Sequence, residues 1–570
     1  MHADSADLIG PSSLPDAQAD VRAVPSEADR RPATVSVLGA ANSTGVAAPP
    51  QVVGAGRRDA DLLAGAPSRS ADTLPGRARR RRPLEFLALR WPLLVVLAAQ
   101  ALLSLRLVWS NTAFQDEALY LRAGHLEWDH WLHGAPIPDF PSYMSGAPVL
   151  YPPVGALADS IGGLAAARIL SLCFMLAATA LLWATTARLF GRRAALLASG
   201  LFATLAGSQF LGAFATYDAM ALLLLALAAW LGVRSASCAF PSRTALLFWA
   251  GAMLALADAV KYATTLFTPV VIIVAALAVA RAHGARAAIA AGGSVLGSWL
   301  MLVVAAARVA GPVYWRGIQV TTLDRPLSTV AVSVILQRSY VWTGLILLLA
   351  ALGAVLALRS AERGRLLPTV LFCAALLVPV EQARLHTTVS LQKHVVFGAW
   401  FAAAAAGYAM ARLSRVDPGN GWAPVMAIPI VASTLFGSIG QAEALYRVWP
   451  NAAAAISALR PAVRAHPGYY LAEDYDVEAY YLRGEVAWQR WSDTYYFRYP
   501  GAAPGAASYA AAIDQHYFAL VILDVGDTGA TDRSIVADMV RAGGYYVLTR
   551  AGQFTIWAAR QSVRPGGSGP

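Results

Sequence analysis

Charge is what this chain has least of. Asp, Glu, Lys and Arg make up 14% of its 570 residues, and 57% are hydrophobic. A soluble domain carries about 25% charged residues. The deficit lies in the middle: residues 1–82 and 455–570 read as water-exposed, and the segment between them is nearly uncharged. The pattern excludes an ordinary soluble enzyme. It describes a membrane core with two polar ends, long enough for about ten spans of roughly 20 residues. Cysteine is scarce too. Cys173, Cys238 and Cys373 fall in apolar runs or a short loop, which excludes a disulfide framework or a zinc site and leaves packing. No glycine-rich phosphate loop with its lysine is present (Gly292-Gly293-Ser294 does not qualify), which argues against direct ATP hydrolysis. The first residues lack the basic and apolar regions of a cleavable signal peptide, so the first apolar run is expected to stay as an anchor.

The net charge of +11 invites a nucleic-acid reading, and its distribution excludes one. The densest basic run, Arg77 with Arg79, Arg80, Arg81 and Arg82, stands just before the first apolar segment and has no interleaved aromatics. Contact with anionic lipid at a cytoplasmic anchor explains it. Residues 1–75, rich in Ala, Asp, Ser, Pro and Gly, show no helical or strand period. Residues 1–82 are therefore expected to form a disordered, basic-ended cytoplasmic tail. The alanine-rich, basic composition suggests a high-GC, actinobacterial source.

What is present is a series of eleven apolar runs: 91–109, 164–187, 194–210, 219–233, 245–258, 264–280, 287–307, 340–358, 366–380, 395–411 and 423–440. The loops at 188–193, 234–244, 281–286, 359–365 and 412–415 hold twelve Lys and Arg in 34 residues. The alternate loops at 110–163, 208–218, 259–263, 308–338 and 381–394 hold eight in 115 residues. This roughly fivefold difference in density puts the N-terminus in the cytoplasm. The loop 110–163 and the region after 440 then face outward. The expected fold is mainly α: a polytopic membrane protein with about 11 transmembrane helices, a core at 83–440 and a small extracytoplasmic α/β domain at 441–570. In that domain 469–471, 518–523, 545–548 and 554–557 read as strands, and 478–481 and 531–541 as helices. Its Tyr and Trp suit glycan or interface contacts, and ordinary packing equally. In the first outer loop a helical stretch at 118–132, with Trp128, Trp131 and Leu132 beside Glu127 and Asp129, is expected to lie along the interface. Pro136, Pro138 and Pro141 end it, and Pro152 and Pro153 are expected to hold off the next helix.

Several polar side chains stand at the outer edges of these runs. Asp116 and Glu117 follow the first run, with Tyr120 one turn later. Such a charged pair is costly unless it faces water, a partner or a substrate. As the start of a helix it can simply favour the first turn. Asp218, after Thr216-Tyr217, sits where an outer loop meets a helix; Thr216 and Asp218 each suit a cap, and Asp218 suits a ligand contact as well. Lys261, Arg384, Lys393, His394 and Arg325 lie on the same side. They can meet an anion there or snorkel to lipid headgroups. His386 and His394, with Asp324 elsewhere, are too unspecific a set for a metal, and no metal or other cofactor is expected.

The acidic pair followed by a tyrosine in Phe114-Gln115-Asp116-Glu117-Ala118-Leu119-Tyr120 resembles the signature of the polyprenyl-phosphate-dependent glycosyltransferases of the GT-C type. That family includes protein O-mannosyltransferases and lipid A aminoarabinose transferases. Tyr151-Pro152-Pro153-Val154 resembles their Pro-Pro turn at the end of the same loop, Asp218 their second-loop acid, and Lys261-Tyr262 a short basic re-entry between two helices. The resemblance runs over about 95–410. It implies an inverting transfer of a sugar from a polyprenyl-phosphate donor to an extracytoplasmic glycan, glycolipid or protein. Asp116 would be the base, with Glu117 orienting the acceptor or holding a basic residue. Asp218, Tyr120 and Tyr151 would contact acceptor or sugar. Lys393 resembles the family's donor-phosphate residue, although no proline follows it within the first turn. Lys261, Arg384, His394 and Arg325 are further candidates for the phosphate. A carboxylate suits the proton removed from the attacking group, and fixed cations suit the leaving phosphate. The alternatives are a transporter or flippase for a lipid-linked or polar solute, and a non-catalytic assembly or sensor protein. Transporters tend to show inverted repeats and broken helices at the midplane, and neither stands out here.

Overall fold

The fold is described by a computed structural model for residues 91–361, 364–414, 422–524 and 529–560. The tail expected at 1–82, with its arginine run, lies outside the described residues. Among those residues, nine helical segments are long and apolar enough to cross a membrane. The chain is a polytopic, mainly helical membrane protein with a small C-terminal mixed-sheet domain.

Helix α1 (Trp91–Val108) is followed by α2 (Gln115–His133) in the loop expected to face outward (the outer loop), and α2 closes on Gly134 in the left-handed region. Helix α3 (Tyr151–Phe190) begins thirteen residues before the 164–187 run, which corrects the expectation that Pro152 and Pro153 delay it. A proline in the first turn gives up an N–H that would have no helical partner anyway. Non-helical backbone at Gly162 and Gly163 then bends α3. The run at 194–210 is two short helices, α4 (Arg192–Thr204) and α5 (Ala206–Leu211), broken at Leu205. Then come α6 (Tyr217–Ser235), α7 (Ser242–Val260), a 3-10 turn (Tyr262–Phe267), α8 (Thr268–His283), α9 (Ala285–Ile318), α10 (Val332–Leu358), α11 (Leu366–Arg384), α12 (Leu391–Leu413) and α13 (Trp422–Leu445).

Helix α12 is the central one. Of its apolar window 94% is buried, against 22% for α1. Lipid tails are as apolar as leucine, so such packing needs small residues that let backbones approach. The sequence supplies them: a Cβ on Gly407 would meet the Ala194 carbonyl oxygen at 2.3 Å, and one on Gly398 would meet the Ala375 Cα at 2.8 Å. Residues 402–406 are all alanine.

The C-terminal domain is a sheet covered on both faces. Strands β1 (Tyr469–Ala472), β2 (Trp491–Ser492), β3 (Phe518–Leu523), β4 (Tyr545–Ala551) and β5 (Phe554–Ala559) stand in the order β2-β1-β3-β5-β4. β1 runs parallel to β2 and β3, and β5 antiparallel to β3 and β4. All six residues of β3 are buried, which is why that strand reads as an unbroken apolar run. Leu520 and Ile522 pack with α14 (Ala453–Ala465) on one face. Val521 and Leu523 pack with α16 (Ala506–Asp514) and α17 (Gly529–Ala542) on the other.

A short helix of this domain, α15 (Asp476–Tyr481), sits on the first outer loop. Asp476 accepts from Arg122, and the Ala113 amide donates to the Tyr481 hydroxyl at 2.9 Å. Asp159 accepts from Tyr480 at 2.5 Å and from Arg483 at 3.1 Å, and pairs with His125 at 2.6 Å. The loop and the domain therefore occupy the same side of the helical core. Within α15, burial raises the Glu478 carboxyl to about 7, and its Oε2 has no hydrogen-bond partner. The unfolded group ionises near 4.5. Folding stability from this group is thus full below that pH and is lost as pH rises from about 4.5 to about 7, by about 3 kcal/mol. Glu478→Gln should raise the unfolding temperature relative to the parent above pH 7, with the two curves converging below pH 4.5. Melting curves across pH measure it, and a constant offset would rule the assignment out.

Candidate active site

Each acid singled out at the outer boundary meets a base. Asp116 and Glu117 stand in the first turn of α2, on adjacent residues that point different ways. The Lys393 ammonium reaches Asp116 Oδ2 at 2.5 Å from the first turn of α12. Glu117 turns inward to Arg168 of α3: Nε donates to Oε1 at 2.8 Å and Nη2 to Oε2 at 2.6 Å. The Phe114 and Ala215 amides also donate to Glu117, at 3.1 and 2.8 Å. Arg168 further donates to the carbonyls of Val108, Asn111 and Thr112. This pair ties the start of the outer loop, the start of α2 and the segment before α6 to one point on α3.

The third pair is Asp218 of α6 with Lys261, whose Nζ lies 2.7 Å from Oδ1. Thr216 occupies the N-cap position of α6, but its hydroxyl accepts from no amide of the helix and donates instead to Asp218 Oδ2 at 2.9 Å. Both side chains are thus committed to the charged site, which corrects the reading of Thr216 as a cap. Lys261 is placed by the outer loop. The Ala147 amide donates to the Ala259 carbonyl at 2.7 Å, and the Tyr262 amide to that of Ser145 at 3.0 Å. Between them the backbones close so far that a Cβ on Gly146 would lie 2.0 Å from the Val260 oxygen. The Lys261 ammonium sits 4.6 Å from the centre of the Tyr217 ring, and that ring packs on Tyr120 at 4.5 Å.

The three pairs differ in access. The Glu117 and Arg168 side chains are both 0% exposed, Asp218 is 1% and Lys261 5% exposed, and Asp116 keeps 28%. Lys261 and His394 line a small cavity of about 60 Å³ with Phe267, Glu381 and Gln382. Arg325, in the loop before α10, is half-buried. Burial lowers its guanidinium, with Tyr217 and Glu381 as the nearby groups opposing the drop. Among the described residues Arg325 makes no ion pair within 4.0 Å.

Two candidates fall outside this grouping. Arg384 is bound to Glu381 of its own helix at 2.9 and 2.6 Å, with more than half its side chain exposed. Tyr151 is 0% exposed at the start of α3. His386 and His394 are engaged apart, His386 Nδ1 with the Val330 carbonyl and His394 Nδ1 with Gln382. Among the described residues, the one grouping of three possible metal ligands is Glu473, Asp524 and Asp532 in the C-terminal domain. Arg168 is not among the residues the sequence singled out, although it stands alone in the run 164–187, where an intramembrane charge is itself a signal. Arg122 and Asp159 were missed because Asp476 and Tyr480, which fix them against the C-terminal domain, lie more than 300 residues away.

The comparisons bear on this arrangement. Residues 156–315 match the family described as dolichyl-phosphate-mannose-protein mannosyltransferase. No curated protein sequence matches the chain. Among solved structures, ArnT from Cupriavidus metallidurans in the apo state is similar with a TM-score of 0.57 at 14% identity, over 83% of this chain and 98% of that one. The same protein bound to undecaprenyl phosphate gives 0.55 at 13%, over 82% and 98%. The oligosaccharyltransferase AglB from Archaeoglobus fulgidus, in complex with an inhibitory peptide and a dolichol-phosphate, gives 0.53 at 14%, over 85% and 76%. The resemblance read from the acidic pair is matched at the level of fold: over more than 80% of its length the chain is similar in architecture to these solved transferases.

Proposed function

We propose that the protein is an inverting membrane glycosyltransferase that moves a sugar from a polyprenyl-phosphate donor to an acceptor on the outer side of the membrane. The observation that carries the reading is the difference in access: of three carboxylates paired with cations at one edge of the core, Asp116 alone is open to a substrate. An acceptor oxygen or nitrogen attacks the anomeric carbon and loses its proton to Asp116. The bond from that carbon to the phosphate oxygen breaks, and its electron pair leaves with the lipid phosphate. Lys393, Lys261, His394 and Arg325 are the groups we assign to that phosphate. A half-buried guanidinium with no carboxylate in direct contact, Glu381 being near but beyond 4.0 Å, is costly, which supports Arg325 as an anion contact. Glu117 is a positioning residue that holds the loop through Arg168. Asp218 and Tyr120 flank the same space, while Tyr151 supports the turn from within. The transport reading expects ionisable groups near the midplane, and these pairs gather at one end.

The topology we favour has eleven crossings, with α4–α5 and α13 completing the nine, the N-terminus inside, and residues 441–570 as a domain outside. Cell-wall glycan, glycolipid and protein all fit as acceptor. Arg325→Gln should raise the donor KM by about 10- to 100-fold, the worth of a hydrogen bond to a charged group, with kcat changed only a few-fold. Donor-saturation kinetics on the full chain in detergent test this, and an unchanged KM removes Arg325 from the phosphate site.

A further inference from the structure

A second cavity, of about 610 Å³, lies between α2, the start of α3 and the C-terminal domain. Its size suits a small ligand or a lipid headgroup. One part of the lining is polar, with Arg122, His125, Arg483 and, at the rim, Asp129. The other part is apolar, with Trp128, Leu132 and Leu157. Leu132 is 68% and Leu157 55% exposed, and Val154 and Ile161 extend the same exposed stripe along α3. The cavity therefore continues into an exposed apolar surface on the first turns of α3, ahead of the bend at Gly162, on a helix long and apolar enough to cross a membrane.

Arg122 decides what the cavity asks for. Its side chain is 3% exposed. Nη2 reaches Asp476, and the guanidinium lies 4.9 Å from the centre of the Tyr475 ring. Nε and Nη1 are buried without a well-formed hydrogen bond among the described residues, and the Tyr475 hydroxyl is the neighbour that serves the guanidinium in part. Leaving two such donors dry is costly, and phosphate oxygens are the acceptors that arginine serves best. Arg483 and His125 stand beside it, and both lean on Asp159 behind the lining. Asp129, the one carboxylate on the lining, is more than half exposed and faces His133 at 3.8 Å.

We propose that this cleft binds the phosphate headgroup of an anionic lipid that enters from the surrounding bilayer. The headgroup meets Arg122 and Arg483, and the chain leaves over Leu132 and Leu157. This site is separate from the donor phosphate site and does not depend on sugar transfer.

Native mass spectrometry of the full chain in neutral detergent tests it. The probes are phosphatidylglycerol, a galactosyl diacylglycerol with the same acyl chains, and glycerol 3-phosphate. Phosphatidylglycerol should be retained about tenfold better than the neutral galactolipid, as charge-assisted hydrogen bonds to arginine require. Arg483→Gln, and separately the double variant R122Q/D476N that removes both partners of the buried pair, should bring the two lipids within twofold. If the double variant does not fold, Arg483→Gln decides alone. Equal or better retention of the galactolipid would mean that the cleft reads sugar, and would overturn the proposal. So would glycerol 3-phosphate competing at the same concentration as the lipid, which would mark a free-phosphate site. An undiminished preference for phosphatidylglycerol in the variants would overturn it as well.

Discussion

Asp116→Asn is expected to cut sugar transfer by about 10²–10⁴-fold, the usual worth of a positioned base, while the donor lipid still binds. The side chain changes by one atom and stays 2.5 Å from Lys393 in outline, yet it can no longer take a proton. Because the residue is 28% exposed, the variant should fold and melt like the parent. Transfer of a labelled sugar from a polyprenyl-phosphate donor, alongside donor binding, separates chemistry from recognition. Parent-like turnover would end the assignment of Asp116 as the base. Loss of binding together with turnover would make its main task the holding of Lys393. A transporter would give no transferred product in either form.

The second large effect is on the fold. Glu117→Ala and Arg168→Ala should each destabilise by about 3–5 kcal/mol, because each leaves a buried, uncompensated charge. Arg168→Ala also removes a donor from the carbonyls of Val108, Asn111 and Thr112, the last of which keeps Trp449 Nε1. The double variant should cost clearly less than the sum, since the two residues share one network. Thermal unfolding of the four proteins in one detergent gives the coupling. Strict additivity would mean that the pair, despite 0% exposure on both sides, does not act as a unit.

Much of this was legible from residue order alone. The strands expected at 518–523 and 545–548 fall on β3 and β4, since an apolar run bounded by turn residues has few other uses. The acids and bases expected on one side do converge as Asp116–Lys393 and Asp218–Lys261. What escaped was set by distant contacts. Helix α14, with Pro461 inside, went unread although Ile456, Leu459 and Val463 recur at helical spacing; its buried face meets β1 and β3. The length of α3 turned on the first-turn prolines, which read as a block and act as a start. The break in α4–α5 at Leu205 has no glycine or proline to announce it.

The clasp between the first outer loop and α15 has a consequence for biogenesis. Arg122 waits for Asp476, 354 residues downstream, and the Ala113 amide for Tyr481, 368 downstream. The segment bearing Asp116 emerges early in synthesis but cannot settle until nearly the whole polypeptide, the C-terminal domain included, has been made. A nascent or truncated product would therefore display its loop to quality-control proteases, and catalytic competence would arrive only with completion.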